Sequence, residues 1–437
     1  MTRKLHRLLA IVSIGTLLLA ACGGGELGGE ESEEPEESQA AGESEAAPSE
    51  AAFPEGDVAI ELWTKEGDPQ IEYVQALADA YEAERPNVTI EVVNKDVELL
   101  REDLVNTALS PDAAPELVWT VADHVGPFTA ANVIQDLDGK VDTAPYEEGA
   151  LAAVQVDGTT WGIPISNGNQ LMLYYNKSLV GEEAPADTDE LISIASENTS
   201  PPDTYGLVFN ETESFWLTPW LAGFGTSVFA EDGTTPNLDT PEMQAALQFL
   251  YDLKYTDAVM PTEADYTIAS DLFTSGAAAM IVNGDWELGN YGDQLGDDLG
   301  VAPLPTVTST GLDPAPYTAG SFYMVPAAVE GDALTVVLDF ISWSTSTENQ
   351  IQMVEELRRL PANLEALEDP IVTDDPLLAG AAEAVQKGTP QPTNVEMRCV
   401  FDAMNTGIRD VLGAGNDDFA AVTAAMQAAA DNCVATL

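Results

Sequence analysis

Hydrophobic and polar residues change period repeatedly along this chain, and the changes mark out alternating strands and helices. Val58-Ala59-Ile60-Glu61-Leu62-Trp63 is a short, mostly apolar run that predicts a strand. Asp68-Pro69 then opens a helix whose apolar positions Ile71, Val74, Leu77, Ala78 and Tyr81 recur every three or four residues. A strand from Val88 to Val93, a helix from about Val97 to Leu109 and a strand from Glu116 to Thr120 follow. Strands alternating with helices imply an α/β domain on a mainly parallel sheet. Ligands of such sheets bind beyond the carboxyl ends of the strands, which points to the residues just after Trp63 and Trp119.

Leu171-Met172-Leu173-Tyr174-Tyr175 predicts a strand that begins a second lobe, continued by Tyr205 to Phe209 and a helix starting near Ser214. Thr240-Pro241-Glu242 caps a helix with an apolar stripe of Leu247, Leu250, Tyr251 and Leu253. A helix from Tyr266 to Ser275 leads into a strand from Ala278 to Val282, and Asn283-Gly284-Asp285 turns the chain into Trp286. The final third predicts helices around Ala333 to Trp343, Asn349 to Arg358, Leu377 to Gln386, Arg398 to Leu412 and Phe419 to Cys433. There is no internal repeat.

The amino terminus departs from this pattern. Arg3, Lys4 and Arg7 precede an apolar run from Leu8 to Leu18 that ends in Leu19-Ala20-Ala21-Cys22, too short for a membrane span and suited to a cleaved export signal. Leu-Ala-Ala-Cys resembles the lipobox of bacterial lipoproteins. That resemblance implies a signal peptide over 1–21, a lipid on Cys22 and anchorage at the extracellular face of the cytoplasmic membrane. Residues 22–56 are Gly, Ser, Ala, Pro and Glu with almost no large apolar side chain, so they predict a disordered acidic tether.

Charge narrows the partners. The chain has 15 basic and 75 acidic residues; removing the signal takes three bases and no acid, leaving 12 against 75 and a net charge of −63. Such acidity argues against nucleic acid as a partner. Self-repulsion on this scale is screened at high salt, which suggests a saline or alkaline habitat rather than an activity. With 45% hydrophobic residues the body is large enough for two lobes rather than one.

Catalysis finds little support. His6 leaves with the signal, so His124 is the single imidazole of the mature chain, and a histidine metal cluster cannot form. No nucleophile elbow or Gly-rich phosphate loop is present. No catalytic residue, metal or cofactor is expected. Cys399 and Cys433 favour a disulfide between the last two helices, with buried free thiols as the alternative.

Together these segments resemble the maltose/maltodextrin-binding type of solute-binding protein, the sugar receptor of ABC importers, from about Val58 to the carboxyl terminus. The echoes are Ile60 to Trp63, Pro115 to Trp119, Tyr175-Asn176-Lys177, Phe209-Asn210, Asp265 to Ala269 and Gly276 to Trp286. The resemblance implies two α/β lobes, each a mainly parallel sheet flanked by helices, joined at a hinge around a central cleft. The N-terminal lobe is expected to take 57–165 and 322–359, and the C-terminal lobe 166–321 and 360–437. By the same resemblance Asp123 and His124 follow the third strand as a sugar-binding acid and base, with His124 in place of an arginine and without its bidentate fork. Glu213 and Phe215 match a carboxylate and a stacking aromatic, with Trp216 adjacent, and Trp286 matches a stacking tryptophan. Lys65 and Glu66 match a polar pair after the first strand. Asn169 stands where the family has a hinge glutamate.

Near the carboxyl terminus the family offers a stacking tryptophan that is missing around Arg398 to Phe401; Arg398 either stacks through its guanidinium plane or binds Glu396. Phe322 and Tyr323 are expected in the core, and of Trp216 and Trp220 one faces the cleft and the other the interior. The implied function is a monomeric, lipid-anchored receptor that captures an oligosaccharide and delivers it to membrane permease subunits. Sugar chemistry fits independently, since ring faces stack on aromatics while hydroxyls need fixed polar partners. The alternative is a secreted glycoside hydrolase using paired carboxylates from Asp123, Glu213 and Asp285.

Overall fold

The computed structural model describes residues 52–67 and 70–437. The signal peptide, Cys22, the tether as far as residue 51 and the Asp68-Pro69 helix start lie outside the described residues. In chain order the strands are β1 (Val58–Thr64), β2 (Val88–Asn94), β3 (Leu117–Val121), β4 (Gln155–Val156), β5 (Thr159–Thr160), β6 (Ile163–Pro164), β7 (Leu171–Asn176), β8 (Tyr205–Val208), β9 (Ala278–Gly284), β10 (Leu299–Ala302), β11 (Tyr317–Thr318), β12 (Ser321–Met324) and β13 (Thr389–Pro390). Two sheets organise the body, one ordered β2-β1-β3-β12-β6 and the other β10-β7-β9-β8.

Successive side chains of a strand point to opposite faces, and here both faces are buried. Leu62 and Trp119 enter one apolar cluster while Trp63 and Val118 enter another. In the second sheet Leu171 and Leu173 face one cluster, and Met172 and Tyr174 the other. Helices cover both faces of each sheet, which explains why the strands read as nearly continuous apolar runs. The helix Gln70–Glu84 buries Val74, Leu77, Ala78 and Tyr81 of the expected stripe, with Ile71 left at its edge and Tyr73 buried in addition. Asp96 caps the helix Val97–Asn106 and Thr240 caps the helix Pro241–Tyr251, each accepting backbone N–H bonds from the first turn.

Strand direction differs from expectation. β1 runs parallel to β2 and β3, but β12 is antiparallel to β3 and β6. In the second sheet only β8 and β9 are parallel; β7 opposes both β9 and β10. The sheets are therefore mixed. β7 and β12 are the strands by which the chain enters a sheet on crossing from the other, so they run away from the cleft while β3 and β9 run toward it.

The crossovers are knitted to one another. Ile165 N–H donates to Ser321 O at 2.7 Å, Asn167 N–H to Leu360 O at 2.9 Å and Ala319 N–H to Gly168 O at 2.8 Å. Gly320 has φ +114°, and a Cβ there would collide with the Ser166 carbonyl, so this junction requires glycine. In the final third the helices Gly331–Ser344, Thr347–Leu357, Pro376–Lys387, Glu396–Ile408 and Phe419–Val434 follow the predicted stripes closely. Cys399 and Cys433 form a disulfide between the last two, with Cα atoms 5.5 Å apart.

Candidate ligand-binding cleft

Between the two sheets lies a cavity of about 330 Å³. The end of β3 delivers Val121 and Asp123 to it, and the helix Val97–Asn106 adds Val97, Glu98 and Arg101. From the other side come the turn Glu213 to Trp216, then Tyr266 and Trp286, and the helix Glu396–Ile408 with Met397, Arg398, Phe401, Asp402 and Asn405. Asn169, from the first crossover, reaches the same space.

Its apolar wall is an aromatic shelf. The Trp286 ring lies 6.3 Å from Phe215, tilted by 42°, and 6.5 Å from Trp216, edge to face. Trp286 Nε1 donates to the Tyr266 hydroxyl at 2.8 Å, Tyr266 donates to Glu287, and Trp216 Nε1 donates to Val282 O at 2.9 Å. Every indole N–H of the shelf is thus satisfied within the protein, leaving ring faces as the contact surface. The glycine of the Asn-Gly turn has a specific reason: a Cβ at Gly284 would strike the Trp286 ring. Gln70 reaches across the cleft to donate to Trp286 O at 3.2 Å.

Among the described residues, two carboxylates face the cavity without an ion-pair partner, Asp123 and Glu213. Burial, reinforced by the charge of Glu98, pushes Asp123 up to about 6, and burial also raises Glu213. The arginines are committed elsewhere. Arg398 Nε binds Asp402 Oδ2 at 2.9 Å and its Nη1 binds Glu98 Oε2, across the cleft, at 2.9 Å. Arg101 Nη2 holds the same Glu98 oxygen at 2.7 Å. Glu396 accepts from Asn394 instead, so of the two expected roles of Arg398 the Glu396 contact is not formed.

Beneath the shelf a second, very small cavity of about 10 Å³ is bounded by Lys65, Asn169, Asp285, Trp286 and Arg359. Asp285 Oδ1 accepts the Asn169 N–H at 3.1 Å, and burial raises Asp285 to about 6 against the pull of Arg359 and Lys65.

Two expected contacts are corrected. Glu66 is 3% exposed and lines neither cavity. Its carboxylate takes both Arg359 Nη1 and Nη2 at 2.8 Å, Lys65 Nζ at 2.7 Å and Trp119 Nε1 at 3.1 Å. Burial alone would raise its pKa, yet Arg359 and Lys65 hold it far below the usual carboxylate range. Lys65, which holds this carboxylate, borders the small cavity, whereas Glu66 lies behind it. His124 is fully buried, its Nδ1 is 2.6 Å from Thr120 Oγ1 and its ring packs edge-on against Phe128. Burial lowers it to about 3, so it is a neutral core residue behind the cleft.

The structure brings together Asp123, Asn169, Glu213, Phe215, Trp216, Trp286 and Arg398, with Lys65 below. Phe322 and Tyr323 are core, and Trp220 packs inward on Phe249. Sequence reasoning missed Arg101, Ser214, Tyr266, Gln391, Phe401 and Asn405. Met397, Phe401 and Asn405 were recoverable as an i, i+4, i+8 stripe on one helix face.

Comparison with known proteins gives a consistent result. The family described as bacterial extracellular solute-binding protein matches residues 76–380. A maltotriose-binding protein of Pyrococcus abyssi is 26% identical over 362 residues, 82% of this chain and 78% of that protein. The maltose/maltodextrin-binding domain of Bdellovibrio bacteriovorus, solved with maltotriose, superposes with a TM-score of 0.81 at 31% identity, covering 86% of this chain and 99% of that one. The Thermus thermophilus maltotriose-binding protein, also solved with maltotriose, gives 0.79 at 25% identity over 86% of this chain and all of its own.

Proposed function

The chain belongs to the bacterial extracellular solute-binding proteins, and from that membership we propose that it captures an α-glucosidic oligosaccharide of the maltose/maltodextrin class for an ABC importer. Residues 57–165 with 322–359 would form one lobe and 166–321 with 360–437 the other, closing over the sugar and docking on permease subunits. A lipid on Cys22 would hold the protein at the outer face of the cytoplasmic membrane.

One observation carries the reading: the shelf of Phe215, Trp216 and Trp286 shares its cavity with Asp123 and Glu213, carboxylates with no ion pair among the described residues. Pyranose rings offer CH faces for the shelf and hydroxyl donors for the acids. A phosphorylated or acidic ligand fits poorly, because both lining arginines are already paired with carboxylates among the described residues. The proteins bound to maltotriose in the comparisons support the same class.

Trp286→Ala tests it. Calorimetry should show maltotriose affinity reduced at least tenfold in the variant, with cooperative unfolding retained, and chromatography should recover the trisaccharide intact from the wild-type protein. Unchanged affinity would assign the indole to structure alone, and shortened maltotriose would move the protein to the glycoside hydrolases.

A further inference from the structure

Among the described residues, eight buried side-chain polar atoms lack a hydrogen-bond partner, and the residues of two of them, Ser214 Oγ and Gln391 Oε1, line the large cleft. Ser214 is fully buried and Gln391 is 5% exposed. Each is anchored from behind. Ser214 N–H donates to Asn405 Oδ1 at 2.8 Å, and Gln391 N–H donates to Thr318 O at 3.1 Å, extending the β11–β13 ladder beside the crossovers.

An unpaired buried polar atom destabilises the protein that carries it, so its retention needs a cause. In the core that cause is obscure, but at a cleft wall a partner can arrive with the ligand. A hydroxyl both donates and accepts, so it satisfies a serine Oγ and either atom of a glutamine amide. We infer that Ser214 and Gln391 form a hydroxyl-reading subsite that sets which oligosaccharides the cleft accepts. This rests on the oligosaccharide reading above and adds its selectivity. Stacking on Phe215 and Trp286 tolerates changes around a ring, whereas a sugar lacking the hydroxyl leaves buried polar groups unpaired and is rejected.

Calorimetry on the purified full-length protein tests the subsite with maltotriose and its monodeoxy derivatives. Ser214→Ala and Gln391→Leu should each weaken maltotriose binding about tenfold, while Ser214→Thr, which keeps the hydroxyl, stays near wild type. The ligand-free melting temperature of the first two should equal or exceed that of wild type, because each removes an unsatisfied atom. One monodeoxy sugar that binds wild type weakly should bind a variant equally well. Wild-type affinity in both variants, or affinity lost together with ligand-free stability, would overturn the subsite. A folded wild-type protein that binds no maltose or maltotriose would overturn the oligosaccharide reading itself, and the subsite with it.

Discussion

The carboxylate of Glu66 accepts both arms of the Arg359 guanidinium and the Lys65 ammonium in a setting closed to water. Removing one member of such a pair strands the rest, so Glu66→Gln should lower unfolding free energy by about 3–5 kcal/mol, read from urea midpoints at constant slope. Asp123 has the opposite sign. Its folded pKa of about 6 lies above the ordinary 3.8, so the folded state keeps a proton that the unfolded chain releases between these values. Its contribution to stability is therefore lost as pH rises through that window. Asp123→Asn should match wild type near pH 4 and gain about 1–2 kcal/mol at pH 7, after allowance for its partial exposure. Asp123 was legible because it follows a strand end at the cleft, and Glu213, Phe215 and Trp286 were candidates through the family resemblance. Glu66 and His124 were not, because side-chain direction at a strand end depends on partners such as Arg359 and Thr120, of which the former is 293 residues away.

The helix Glu396–Ile408 shows how an element serves fold and site together. Met404 and Ile408 face the core, Phe401 and Asn405 line the cleft, Met397 belongs to both, and Cys399 fixes the helix to its neighbour Phe419–Val434. The bridged positions are 34 residues apart, so replacing both cysteines by alanine should cost about 2–4 kcal/mol, measured by calorimetric melting against the oxidised wild type. Long helices with regular stripes were readable from periodicity alone. The direction of β7 and β12 was not, since alternation of apolar residues is the same whichever way a strand runs. The turn Ser214–Trp216, short and irregular, also left no periodic trace of its unpaired hydroxyl.

At the scale of the molecule, a net charge of −60 opposes compaction while Glu98 and Arg398 join the two walls of the cleft. Salt screens both, but the repulsion is summed over the whole surface and this pair is half-exposed. Raising NaCl from about 0.1 to 1 M, which shortens the screening length from about 10 to 3 Å, should therefore raise the melting temperature. Two lobes were legible from size and from the renewed strand pattern at Leu171. The interlocked crossovers were not, because Ile165 meets Ser321, and Asn167 meets Leu360, only in the folded chain. The central claim, capture of an α-glucosidic oligosaccharide, is tested most directly by calorimetric titration with maltose, maltotriose, trehalose, cellobiose and a phosphorylated sugar at high salt. The account predicts saturable binding of maltose or maltotriose with no affinity for the phosphorylated sugar; a folded protein silent to every α-glucoside, or one that prefers the phosphorylated ligand, would contradict it.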